Sequence, residues 1–214
     1  MLKASENLTF GMNYRSEIIL SAEDGDATFE NVPNSPATPF AATTFDAELP
    51  LPAEWSTGMS YKHDKFLFAI DYNRTMWNVY ESLSVDFAPA EIQDTELLRN
   101  YKDSSTYRFG IQYNASESFT LRGGYYFDES PVQSGYFAPE TPRNDSNGYT
   151  AGLTFRVGSR LEIDASFLYL HFKEVDASYD YFVEGSNGLQ NQYSSFRGTY
   201  KSSAFVPGLG ITYK

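Results

Sequence analysis

Tyr107-Arg108-Phe109-Gly110-Ile111-Gln112-Tyr113-Asn114 is the stretch that decides the fold of this chain. Aromatic or aliphatic side chains take every second position, and Arg, Gly, Gln and Asn take the positions between them. A period of two describes a strand whose side chains leave on opposite faces. Phe119-Thr120-Leu121-Arg122-Gly123-Gly124-Tyr125-Tyr126-Phe127-Asp128 and Tyr149-Thr150-Ala151-Gly152-Leu153-Thr154-Phe155-Arg156 repeat the pattern. A soluble barrel or sandwich buries its apolar face and keeps Arg outside. Here Arg recurs on the small, polar face, opposite a face rich in Tyr and Phe. That combination predicts an inside-out antiparallel barrel in lipid, with the polar face turned to the lumen.

Composition agrees. The chain has 214 residues, with 17 Tyr and 17 Phe to supply such an aromatic face. It has no run approaching the roughly 18 apolar residues a membrane-spanning helix needs. In lipid every backbone amide must be paired, so a closed sheet is the spanning solution left. The absence of Cys suits an oxidising compartment. A net charge of −12 argues against nucleic acid as a partner, because phosphate binding needs clustered Lys and Arg. No basic segment followed by an apolar one opens the chain as a secretion signal would. An exported barrel is expected to carry such a signal, so a trimmed or partial chain is expected.

The pattern extends to an all-β chain of about eight long strands forming a single barrel, or partial barrel, over residues 1–214. The expected strands are Asn7–Ile18, Thr44–Lys62, Lys65–Phe87, Ser104–Asn114, Phe119–Asp128, Gly148–Val157, Leu161–Val175 and Phe196–Tyr213. Leu49-Pro50-Leu51-Pro52 interrupts the second, where Pro marks an edge, bend or bulge. In the third, Phe66, Phe68, Ile70 and Tyr72 are even-numbered, whereas Trp77, Val79, Leu83, Val85 and Phe87 are odd. One extra residue between Asn73 and Met76 would restore a common face, which predicts a β-bulge. The alternative is a hairpin at Asn73-Arg74, although that pair lacks the Gly favoured in short hairpin turns. Short turns at His63-Asp64, Ala115–Ser118 and Gly158–Arg160 alternate with long loops at Ser21–Thr43, Ala88–Asp103, Glu129–Asn147 and Asp176–Ser195. Short and long connections thus fall on opposite ends, as in outer-membrane barrels, with both termini on the short-turn, periplasmic side.

Other chemistries find little support. Asp71, Glu162 and Asp164 lack the surroundings of a glycosidase pair. His63 and His171 are too few and too far apart for zinc, and no Gly-x-Ser-x-Gly elbow occurs. Asp24-Gly25-Asp26 and Asn144–Gly148 do not complete a twelve-residue calcium loop. No enzyme activity, cofactor or metal is expected. Tyr14, Trp55, Tyr61, Trp77, Tyr107, Tyr113, Tyr125, Tyr149 and Tyr169 read as interfacial girdles rather than a sugar-stacking surface. Acidic outer loops (Glu23, Asp24, Asp26, Glu30, Asp46, Glu48, Glu91, Asp94, Glu96) read as solvated.

Several strings, in order, resemble the C-terminal half of the FadL-like outer-membrane transporters of long-chain fatty acids and hydrophobic compounds (OMPP1/FadL/TodX). They are Leu51-Pro52-Ala53-Glu54-Trp55, Asp71-Tyr72-Asn73-Arg74-Thr75-Met76-Trp77-Asn78, Tyr101-Lys102-Asp103-Ser104-Ser105-Thr106-Tyr107-Arg108-Phe109-Gly110 and Leu121-Arg122-Gly123-Gly124-Tyr125. Phe127-Asp128-Glu129-Ser130-Pro131-Val132 and Pro139-Glu140-Thr141-Pro142-Arg143-Asn144-Asp145 follow. The resemblance implies a monomeric barrel of about fourteen strands, with an N-terminal hatch in its lumen and hydrophobic substrates entering through outer-loop pockets. The hatch and about six strands have no counterpart before Asn7, so a downstream part of a split or truncated gene is expected. The family's usual final aromatic is here the penultimate Tyr213, followed by Lys214.

The expected function is therefore passive uptake of long-chain fatty acids or similar hydrophobic molecules across the outer membrane of a Gram-negative cell. Outer-membrane lipid and the barrel-assembly machinery are its expected partners. The alternatives are a related barrel serving protein secretion, a structural or adhesive eight-stranded barrel, and a soluble lipid-binding barrel. Arg15, Asp71, Arg108, Arg122, Asp128, Arg156, Glu162 and Asp164 are placed on the inward face. A lumenal Arg or Lys would neutralise a fatty-acid carboxylate, because a charge-assisted hydrogen bond is stronger in a shielded pocket. Arg108 and Arg122, on adjacent strands, are the first candidates. Lys102 near the outer rim, Asp71 and Asp128 complete the set. The competing account is a charge-compensated ladder that fills the lumen.

Overall fold

The computed structural model describes residues 1–28, 30, 43–88, 94–158, 160–184 and 192–213. Glu91, Ser159, Lys214 and most of the expected loop between Ser21 and Thr43 lie outside the described residues. Among the described residues the chain is all-β and antiparallel apart from one short 3-10 turn. Its strands are β1 (Leu2–Lys3), β2 (Leu8–Arg15), β3 (Ile18–Ala27), β4 (Thr43–Leu51), β5 (Glu54–His63), β6 (Phe66–Thr75), β7 (Ser82–Phe87) and β8 (Thr95–Leu98). They continue with β9 (Ser104–Asn114), β10 (Phe119–Asp128), β11 (Ser146–Val157), β12 (Leu161–Phe172), β13 (Val175–Glu184), β14 (Gln192–Tyr200) and β15 (Ser203–Tyr213).

Fifteen strands among the described residues, rather than about eight, is the first correction. Most of the long strands are divided at one level into a membrane-spanning piece and an outer piece. The spanning pieces form one sheet in the order β1-β2-β5-β6-β9-β10-β11-β12-β15, and the outer pieces form β3-β4-β7-β8 and β13-β14. Segments expected as loops, including much of Ser21–Ala27 and Asp176–Ser195, are outer strands. The sequence leaves closure open between a barrel and a partial barrel. The described sheet is not a closed barrel: β15 pairs only with β12, and the far edge of β2 meets only the two residues of β1. An alternating pattern is the same in an open arc and in a closed ring, so periodicity carries no information on closure.

The second correction is at the parity slip. Neither bulge nor hairpin is present. β6 ends at Thr75, a 3-10 turn spans Trp77–Val79, and β7 resumes at Ser82. Across the sheet, Pro52 and Ala53 separate β4 from β5, and Pro52 has no N–H to extend the ladder. The Met76 amide donates to the Ala53 carbonyl at 2.9 Å, and the Tyr80 amide to Trp77 O at 2.9 Å, so the two interruptions stabilise each other.

The spanning registers confirm two faces. Phe10, Met59, Ile70, Phe109, Tyr125, Tyr149, Tyr169 and Phe205 are cross-strand partners in one unbroken row across eight strands. Neighbouring rings in it meet at 5.4 Å for Tyr125–Tyr149 and 4.8 Å for Tyr169–Phe205. This row faces outward: Phe109 is 53% exposed and Phe205 67%. Short turns lie at Asp64, at Ser116–Ser118 and around Gly158, and Asp64 and Gly158 have positive φ of 50° and 62°. Leu8 and Tyr213 lie at that same end.

The buried apolar core lies mainly at the other end. Phe137, Ala138 and Tyr179 are at most 5% exposed, and they belong to residues 129–145 and the β13-β14 hairpin. The Phe137 amide donates to Ser178 O at 3.0 Å, Asp180 N to Gly135 O at 2.9 Å and Lys102 N to Pro131 O at 2.9 Å. Residues 129–145 thereby join the outer hairpin to the start of β9, and the result is a cap over the outer end of the sheet.

Candidate functional site

The inner face carries a second row, one residue from the aromatic one. Gly11, Gly58, Asp71, Arg108, Tyr126, Gly148, Leu170 and Ala204 are successive partners across the same strands. On the outer-end side of this row is a cavity of about 470 Å³. Arg15, Glu54, Arg108, Asp128 and Arg143 are its charged lining, with Trp77 and Tyr126 among its aromatics.

These five charges balance unequally. Arg15 Nη2 lies 3.8 Å from Glu54 Oε2, and Arg143 Nη2 lies 2.7 Å from Asp128 Oδ2. Asp128 Oδ1 also accepts from Thr106 Oγ1 at 2.7 Å. Both carboxylates are therefore engaged. The Arg108 guanidinium takes part in no hydrogen bond or ion pair among the described residues, which leaves the cavity one uncompensated positive charge.

The sequence candidates separate accordingly. Arg108 and Asp128 line the same cavity. Asp71 is Arg108's register partner, and both line a hollow of about 290 Å³ with Phe10, Tyr72 and Phe109; Asp71 also lines one of about 310 Å³ with Gly11, Ser56 and Gly58. Arg122 lies nearer the short-turn end: its Nε donates to Gln112 Oε1 at 2.9 Å and its Nη1 to Thr154 Oγ1 at 2.6 Å. The fully buried Thr154 donates its hydroxyl hydrogen bond to Asp164 Oδ1 at 2.5 Å. Arg156 pairs with Glu162 at 2.7 Å in the same region. Lys102 lies between β8 and β9, half-exposed, 3.5 Å from Glu129 Oε1. Arg143, Glu54, Trp77 and Tyr126 join the cavity without having been singled out for it. Arg143 comes from an irregular loop, where no periodicity tells which way a side chain points.

The cap adds a different electrostatic feature. Arg99, 3% exposed, donates to Glu140 Oε1 at 2.9 Å, and Glu140 is half-exposed. Burial by itself would lower the Arg99 pKa, but the contacts with Glu140 and Tyr80 outweigh it and hold it above the ordinary arginine value. Burial raises Tyr101 and Tyr179 above the ordinary tyrosine value of 10.0.

An antiparallel sheet with an outward aromatic row and an Arg-bearing inner face describes a membrane-spanning β-sheet protein. Comparison with known proteins supplies the family. The profile of the family described as outer membrane protein transport protein (OMPP1/FadL/TodX) matches residues 1–214. The chain belongs to this family and is an outer-membrane protein. It is 25% identical over 203 residues to the long-chain fatty acid transport protein of Escherichia coli K12, covering 88% of this chain and 45% of that one. It is 26% identical over 167 residues to the 47 kDa outer membrane protein of Pasteurella multocida, covering 78% of this chain and 35% of that one. The chain thus spans less than half the length of these curated relatives. Among solved structures, a Pseudomonas aeruginosa FadL homologue superposes with a TM-score of 0.75 at 19% identity, over 99% of this chain and 50% of the other. The toluene transporter TodX of P. putida does so with a TM-score of 0.58 at 16% identity, over 99% and 47%.

Proposed function

We propose that the protein serves passive uptake of long-chain fatty acids or similar hydrophobic molecules with an anionic head, and that Arg108 receives the head group. The observation that carries this reading is the charge inventory of the inner cavity, in which Arg108 alone lacks a partner. Arg108 is exposed, and an unpaired guanidinium is a carboxylate receptor because it offers charge-assisted and bidentate hydrogen bonds. The small and hydroxyl side chains around it, Thr75, Ser104 and Thr106, leave room for the chain that follows the head. Arg122 is tied to the sheet instead, since its Nε donates to Gln112 and its Nη1 to Thr154. Binding and diffusion suffice for this role, with no covalent step.

The test is equilibrium binding of hexadecanoate and hexadecan-1-ol to the chain extracted in detergent. Arg108→Ala is expected to weaken carboxylate binding roughly tenfold, the loss of about 1.5 kcal/mol for a hydrogen bond to a charged group. The alcohol should bind as before. Equal carboxylate affinity in both proteins would remove Arg108 from the role.

A further inference from the structure

Arg108's openness needs its own explanation, because its register partner is an aspartate. Residues directly opposite in an antiparallel pair hold their Cβ atoms about 4.5–5.5 Å apart, and opposite charges there normally attract. Asp71 and Arg108 are such a pair, yet they form no ion pair. The reason lies one strand further on. A methyl group placed at Gly58, Asp71's partner on β5, would overlap the Asp71 carboxylate oxygen and come within 3.1 Å of its Cγ. The carboxylate therefore occupies the space that Gly58 leaves empty and leans away from β9. The other side of Arg108 repeats the arrangement. Its partner on β10 is Tyr126, and a methyl group at Gly148, Tyr126's partner on β11, would overlap the tyrosine ring. Both lateral neighbours of Arg108 thus lean outward onto glycines. Neither glycine has the left-handed backbone of Gly135 or Gly158, so what each provides is space rather than conformational freedom.

We propose that Gly58 and Gly148 are positioning residues that keep the Arg108 guanidinium open to an anionic head group. The inference rests on the reading of Arg108 as the head-group receptor. A Cβ at position 58 displaces the Asp71 carboxylate towards β9, where Coulomb attraction holds it on Arg108 and neutralises the receptor. The Ile70 carbonyl oxygen, 3.0 Å from the added methyl, has to yield only by tenths of an ångström. A Cβ at position 148 lifts the Tyr126 ring, and the ring then covers the guanidinium from the opposite side.

The test compares hexadecanoate with hexadecan-1-ol on the full chain for the wild type, Arg108→Ala, Gly58→Ala, Gly148→Ala and the double variant Gly58→Ala/Asp71→Asn. Gly58→Ala should weaken carboxylate binding about fivefold, the scale of a cross-strand charge pair, and leave the alcohol untouched. Adding Asp71→Asn should restore most of the loss, because an amide does not neutralise Arg108. Gly148→Ala should show the same charge-selective loss, and it carries the test alone should Gly58→Ala fail to insert. If Gly58→Ala and Gly148→Ala bind the carboxylate normally while Arg108→Ala does not, the positioning role is wrong and the receptor stands. Equal losses for acid and alcohol, or no rescue by Asp71→Asn, also overturn it, because they report general damage to the sheet. An Arg108→Ala protein with wild-type affinity removes both readings together.

Discussion

The spanning sheet and the outer cap are stabilised by opposite arrangements of the same residue types. In the sheet, Phe109, Phe205 and Leu209 are all more than half-exposed, and the buried side chains are polar: Thr154, Thr120 and Ser104. In the cap, Phe137, Ala138 and Tyr179 are buried as in a water-soluble domain, and Tyr136 stacks on Tyr181 at 4.6 Å. Each buried aromatic there contributes on the order of 1.5–3 kcal/mol through its removal from water. The sheet depends instead on continuous backbone pairing and on lipid to cover its outer face. The two solvents meet where the strands break, at Pro52-Ala53 and Trp77–Val79. The inner cavity lies at that junction, lined by Pro52 and Trp77.

The contrast is broken most directly by placing a charge in the aromatic row. Ile70→Lys should cost about 2–4 kcal/mol of folding stability in bilayers, whereas Ser60→Lys on the inner face should cost under about 1 kcal/mol. Denaturant titration of the lipid-inserted protein measures both, and equal costs would contradict the assignment of faces. A smaller effect should separate the cap from the sheet. Glu140→Ala leaves the buried Arg99 guanidinium without its carboxylate, at a cost of about 2 kcal/mol after allowance for Glu140's exposure. Proteolysis should then become faster within residues 129–145 while membrane insertion stays normal; loss of insertion would show that the cap is not separable.

The smallest expected effect is alkaline. Burial raises Tyr101 and Tyr179 in the folded cap above their unfolded value near 10.0. The folded state then holds these protons more tightly than the unfolded state. Their contribution is complete below about pH 10 and is lost as pH rises through the folded values. Tyrosinate absorbance followed with cap proteolysis should show the cap loosening above pH 10 before the sheet changes. Simultaneous loss of both would deny the cap its independence.

Much of the sheet was legible in single residues. The alternation through Tyr107–Asn114 and Phe119–Asp128 put Arg108 and Arg122 on the inner face, where the registers place them. The odd and even aromatics flanking Asn73 and Met76 located a break to within a few residues. Parity records that a residue count changes, but a bulge, a hairpin and a 3-10 turn all change it, so the kind of break was not written there. Most of β13 and the start of β14 were read as loop because Asp, Ser, Asn and Gly around them weaken the alternation; β13 forms by pairing with β14 and with residues 129–145. Arg108 and Arg122 look equivalent in the sequence, both being Arg in a strand between apolar residues. Their difference comes from Gln112 and Thr154 beside one and from Gly58 and Gly148 two strands away from the other.

Periodicity by itself determined an all-β antiparallel chain with a lipid-facing side and a polar side, because a two-residue repeat has only one geometric meaning along a strand. The ordered strings between Leu51 and Asp145 determined the family. Three matters were decided only by the tertiary structure: where the long strands divide, whether the edges of β2 and β15 meet, and which charge remains without a partner. Each depends on residues brought together across neighbouring strands, and pairing of that kind leaves no period in the chain.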